Sequence, residues 1–171
     1  MREKGSRRDM EHRLYLTMTV LVTVILLCSL GFTLAMDIAR ERKALDRKIT
    51  DAATYVAELR GVHDMLEAGY PDPGVTEQLE AITEFVSGID SILIADRNGL
   101  RFYQTSRHMA GDMYVDGDET RILTGSAPYI TTVQGTDGPL HCAFHAIRNA
   151  EGVTEGFVMV SVAVSKITGQ S

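Results

Sequence analysis

The chain has 171 residues, 44% hydrophobic and 23% charged, a balance that excludes wholesale disorder. Two cysteines cannot staple a chain of this size, so a disulfide scaffold is excluded too. A net charge of −6 leaves little to displace counterions from phosphates, which argues against a nucleic-acid partner.

The charge is unevenly placed. Residues 1–13 carry five basic and three acidic side chains, residues 14–36 carry none, and the rest carries 12 basic and 20 acidic. The uncharged stretch of 23 residues, LYLTMTVLVTVILLCSLGFTLAM, exceeds the roughly 20 apolar residues that cross the hydrocarbon core as a helix. It is longer than the apolar region of a cleaved signal peptide, and Thr33-Leu34-Ala35-Met36-Asp37 is a poor cleavage site. A core helix would carry a polar face, which this stretch lacks. Residues 14–36 are therefore read as a transmembrane anchor and residues 1–13 as a cytoplasmic tail. Lys and Arg near the two ends tie, because Arg40, Arg42, Lys43, Arg47 and Lys48 flank the other side. The short tail is the easier part to retain, which places the body (residues 37–167, with 168–171 as a tail) outside the cytoplasm.

After the anchor, Ile49, Ala52, Val56, Leu59, His63 and Leu66 recur at steps of three and four, a helical seam. No Gly or Pro interrupts residues 35–60, so the membrane helix is expected to run straight into this one. Gly69-Tyr70-Pro71-Asp72-Pro73-Gly74 ends it. A second helix follows, with Val75, Leu79, Ile82 and Val86 on one side.

The pattern then turns strand-like. Ser91-Ile92-Leu93-Ile94-Ala95 and Leu100-Arg101-Phe102-Tyr103-Gln104 flank Asn98-Gly99, a two-residue hairpin signal. A loop over 105–115 and a short helix from Asp116 to Leu123 come next, closed by Gly125. Strands are predicted over 128–134, 140–147 and 154–164, with turn-rich connectors between them. The order gives an α+β fold: a five-stranded antiparallel sheet with a helical layer, and a long N-terminal helix continuous with one transmembrane helix.

This order resembles the PAS-like, single Cache sensing domains found outside the membrane. Ile94-Ala95-Asp96-Arg97-Asn98-Gly99-Leu100-Arg101-Phe102-Tyr103 is similar to the D-x-x-G/S-x-R-x-Y-H hairpin of the citrate and fumarate sensor histidine kinases, a family of di- and tricarboxylate sensors. Gly111 matches that family's later glycine. Asn149-Ala150-Glu151-Gly152 followed by Glu155-Gly156-Phe157-Val158 is like its closing D-x-x-G-x-x-I-G-x-V-S-V segment. Val164-Ser165-Lys166-Ile167 resembles the segment leading to a second membrane helix. The resemblance covers about residues 14–167.

It implies a carboxylate bound in the hollow of the sheet, where a forked guanidinium and backbone N–H groups suit the ligand's charge. Arg101 stands in the family's arginine position. Arg60 and His63 share a helix face and are the second candidates. Tyr103 offers a hydroxyl, and the turn containing Thr136 and Gly138 offers backbone donors. The chain departs from the pattern at Gln104, where the family has His, at Thr105, where it has Pro, and at Cys142, where it has Arg. Phe144 lies two residues beyond that position and completes the candidate set. The lost cations favour a dicarboxylate or a less charged acid over a tricarboxylate.

Other chemistry finds little footing. His141 and His145 share a strand face about 13 Å apart and Cys142 points the other way, so no metal or cofactor is expected. The acidic residues Asp112, Asp116, Asp118 and Glu119 lack a calcium-loop pattern. Neither a nucleophile elbow nor a phosphate-cradling glycine loop is present, so no enzymatic activity is expected. The expected role is the membrane-anchored input domain of a two-component sensor kinase, a homodimer binding a small carboxylate. The alternative is a stand-alone single-pass protein that dimerises through the Ile49 to Leu66 seam, or binds a partner, as a scaffold.

Overall fold

The computed structural model describes residues 3–105, 119–125, 127–135 and 138–165. Gly111, Asp116, Thr136, Lys166 and Ile167, all weighed above, lie outside the described residues. Two compact units divide between Ala44 and Leu45.

In the first unit the described backbone is helical and belongs to α1 (Glu3–Glu58). Its apolar stretch is long enough to cross a membrane and is not buried by the protein itself. Leu16, Leu21, Leu26 and Leu30 all lie exposed. The threonines that dilute this stretch are satisfied within the helix. Thr19 donates to the Tyr15 carbonyl, Thr23 to Thr19 and Thr33 to Ser29, each at 2.8 Å. Such back-bonding satisfies each hydroxyl within its own helix, so threonine adds no unpaired polar group to the apolar stretch.

The second unit contains the last turns of α1 and the elements α2 (Arg60–Ala68), α3 (Pro73–Phe85), β1 (Ser91–Asp96), β2 (Arg101–Gln104), α4 (Glu119–Leu123), β3 (Tyr129–Gly135), β4 (Gly138–Arg148) and β5 (Thr154–Ala163). The five strands form one antiparallel sheet in the order β2-β1-β5-β4-β3, the α+β arrangement expected from the sequence.

The helical seam breaks at Leu59, which adopts an extended backbone (φ −64°, ψ 122°) and separates α1 from α2. Gly61 follows just after the break. A Cβ there would meet Val75 Cγ2 at 2.7 Å, so only glycine lets α2 approach α3 this closely. Asp72 caps α3, its Oδ1 accepting from Gly74 N at 2.8 Å and Val75 N at 3.0 Å, with Pro73 at the first helical position.

Each face of the sheet has its own core. Ile49, Val56, Val62, Met65 and Leu79 cover one face, meeting Ile92, Ile94, Val158 and Val160. The seam proposed as a dimerising surface is thus largely occupied: Ile49, Ala52 and Val56 are buried against the protein's own sheet. On the other face, Ile122 of α4 packs with Leu93, Phe144, Phe157 and Met159. Strands β1 and β5 feed both cores alternately, which explains why their sequences read as nearly continuous apolar runs.

Candidate functional site

The β1–β2 turn forms as its Asn98-Gly99 sequence suggests. Gly99 takes a left-handed φ of 84°, and Asp96 Oδ1 accepts from both Asn98 N and Leu100 N at 2.8 Å. The next feature is not visible in the sequence. Ile94 pairs with Tyr103 but Ala95 pairs with Arg101, so Phe102 is an inserted residue. Strict alternation would have put Arg101 and Tyr103 on the same side. The bulge moves them to opposite sides: Tyr103 joins the core under α1–α3, and Arg101 aligns with Ala95 on the α4 side.

Arg101 Nη1 donates to Gln104 Oε1 at 2.9 Å. Gln104 pairs with Leu93, so both polar side chains lie at the edge of the α4-side face. Its floor is aromatic. Phe144 is buried between Tyr129, stacked on it with ring centroids 5.3 Å apart, and Phe157 at 6.0 Å. Arg121 of α4 places its guanidinium 4.4 Å from the centre of the Tyr129 ring, a cation–π contact. A guanidinium at each side of an aromatic floor suits an anion with an apolar body.

The structure does not bring the six described sequence candidates together. Arg101 and Phe144 share the α4 side. Tyr103 is buried on the other, where its hydroxyl lies 3.2 Å from Thr105 Oγ1, which in turn lies 3.2 Å from Thr83 Oγ1. Burial raises the Tyr103 pKa above 10.0; the hydrogen bond from Thr105 opposes this, and the charge of Glu80 adds to it. Arg60 and His63 do share a face of α2, but it lies on the Tyr103 side of the sheet. Arg60 is 93% exposed in its side chain and faces Asp64 at 3.9 Å, a pairing worth little. His63 lies 3.9 Å from Glu155 at the mouth of a 540 Å³ cleft beside the β4–β5 turn. Gly138 opens β4, eight residues and about 26 Å along the strand from Ala146, which occupies the row of Arg101. Thr136 is outside the described residues.

Two residues of the arrangement went unread in the sequence, Arg121 and Tyr129. Arg121 sits beside Ile122 and Leu123 in a short helix, a pattern that indicates a sheet-packed helix but not the side chain above Tyr129. Tyr129 opens a strand, and only the register opposite Phe144 reveals it as part of the floor. His141, set aside as a metal ligand, lies on the α1 side with Nε2 2.7 Å from Asp46 Oδ1.

No family model matches the chain, and no curated protein matches it. Solved structures do. The sensor domain of E. coli DcuS matches with a TM-score of 0.68 at 19% identity, over 75% of this chain and 96% of that one. The sensor domain of the V. cholerae histidine kinase DctB gives 0.64 at 14% identity, over 79% of this chain and 56% of that one. The ligand-binding domain of the Campylobacter jejuni chemoreceptor Tlp3, in complex with L-valine, gives 0.52 at 14% identity, over 78% and 57%. Together with the strand order and the helical layer, these likenesses identify the fold as the PAS-like, single Cache fold of such sensor domains.

Proposed function

We propose that this chain is a membrane-anchored, extracytoplasmic sensor that binds a small organic acid on the α4 side of its sheet and relays the signal as the input part of a two-component kinase. In this reading residues 1–13 stay in the cytoplasm, residues 14–36 span the membrane and residues 37–167 sense. The observation that carries it is the pairing of Arg101 with Phe144 on one sheet face. A guanidinium that can fork onto a carboxylate borders an aromatic floor for the ligand's body. Arg121 joins them as a second cation. Arg60, His63 and Tyr103 sit on the far side of the sheet and support the fold rather than the ligand.

Relay follows from the elements the acid would touch. Arg121 belongs to α4 and Arg101 to β2, so an anion attracting both draws α4 toward the sheet. Arg148 of β4 also reaches the turn after α4, Nη2 lying 3.4 Å from the Gly125 carbonyl, so that motion is shared with the long strands. Ligand shifts this balance only by the difference in its affinity for the two arrangements.

The test is a thermal-shift panel of short organic acids on the full chain in detergent micelles. At least one acid should raise the midpoint at millimolar concentration, and Arg101→Ala should abolish the rise. A panel that leaves the midpoint unmoved returns the chain to the scaffold reading.

A further inference from the structure

Two hydroxyl oxygens in the sheet interior call for an explanation. Ser161 is fully buried (0% exposed), and the Oγ atoms of Ser91 and Ser161 are buried without a hydrogen-bond partner. Leaving such a group unsatisfied costs about 1–3 kcal/mol, so natural sheets fill these places with Ala or Val unless the hydroxyl serves something.

Their position supplies a use. Ser91 pairs with Ser161 across β1 and β5, and Ser161 pairs with Cys142 across β5 and β4. Directly opposed residues share a face, and Cys142 belongs to the α4-side core. The two serines therefore lie on the same face as Arg101 and Phe144. The row holding Gln104, Leu93, Met159 and Phe144 is two residues along the strands, about 7 Å away. The Arg101 guanidinium leans onto Gln104, at the edge of that row. From one end to the other the face offers a guanidinium, an apolar and aromatic stretch, and a pair of neutral hydroxyls.

We infer that Ser91 and Ser161 bind a neutral oxygen, a hydroxyl or keto group, at the far end of the acid held by Arg101, making the ligand class a short hydroxy- or keto-carboxylate. This rests on the proposed site and adds its specificity. Serine hydroxyls donate as well as accept, so they match a hydroxyl or a carbonyl. Among the described residues, no cation stands in their row to neutralise a carboxylate there. An acid lacking the oxygen would leave both serines unsatisfied, and a site built to hydrogen-bond an oxygen rejects the analogue without it.

Matched acids test this on the full chain in micelles, with titration calorimetry of butanoate, 3-hydroxybutanoate and 4-hydroxybutanoate. One of the hydroxy acids should bind about tenfold or more tightly than butanoate, as one added hydrogen bond implies. Ser161→Ala, and separately Ser91→Ala, should erase that preference and leave the ligand-free melting midpoint no lower. A preference that survives both substitutions overturns the inference. So does Arg101-dependent binding with no hydroxyl preference, although the sensor reading then stands. A lowered ligand-free midpoint with unchanged selectivity assigns the hydroxyls to an internal water and also overturns it. Absence of any Arg101-dependent binding removes the site itself.

Discussion

Phe144 shows how much one side chain carries here. It is buried between Tyr129 and Phe157 and is the centre of the α4-side core. Phe144→Ala should cost about 3–5 kcal/mol of stability by denaturant unfolding, whereas Phe144→Leu, closer in volume, should cost far less. Tyr103 gives a pH signature. Its folded-state pKa lies above 10.0, chiefly because burial disfavours the phenolate. The stability gained by holding the phenol neutral is therefore complete below about pH 10 and is lost as the pH rises through the folded-state value. Tyr103→Phe should flatten this alkaline decline in a series of unfolding measurements, and a decline of unchanged slope would assign it to other groups. Arg101 was legible from its place after Asn98-Gly99, since a turn motif fixes where the next strand begins. Which face it presents was not, because that depends on one inserted residue.

At the scale of elements, local chemistry is most legible where a single residue type is required. Asp72-Pro73 marks the start of α3 by cap and fixed φ, and Asp72→Ala should cost about 1 kcal/mol, seen as a lower unfolding midpoint. Gly61 is different. Glycine inside a helix normally weakens it, so replacement by alanine should help by up to about 1 kcal/mol on propensity alone. Here the new methyl meets buried, β-branched Val75, and such overpacking costs about 1–3 kcal/mol. Gly61→Ala should therefore destabilise by about 1 kcal/mol in urea, and a stabilised variant would show that Val75 yields freely. The seam from Ile49 to Leu66 was legible as apolar but not as broken, since the break at Leu59 involves no proline. The bulge at Phe102 was hidden for a related reason. Alternation assigns faces to a strand only while pairing is regular, and Phe102 and Tyr103 both read as core residues in either register.

For the whole molecule, the order of helices and strands was legible because turn residues and changes of period punctuate it, and the solved sensor domains share that fold. The site was only half legible. Arg101 and Phe144 lie on one face, while Arg60, His63 and Tyr103 are on the other, because sequence spacing cannot say which side of a sheet a helix covers. If α1 spans a membrane, Leu26→Arg, near the middle of the apolar stretch, should oppose insertion by about 2.5–3.5 kcal/mol and shift part of the protein out of the membrane fraction on carbonate extraction. Unchanged fractionation would count against the anchor. The double-sided sheet also limits how a signal can move. Along β5, Phe157 and Met159 belong to one core while Val158 and Val160 belong to the other. A slip by one residue would exchange these sets and turn Ser161 toward the α1 side. A one-residue slip is thereby strongly disfavoured, so the strands keep their register and move together as one plate.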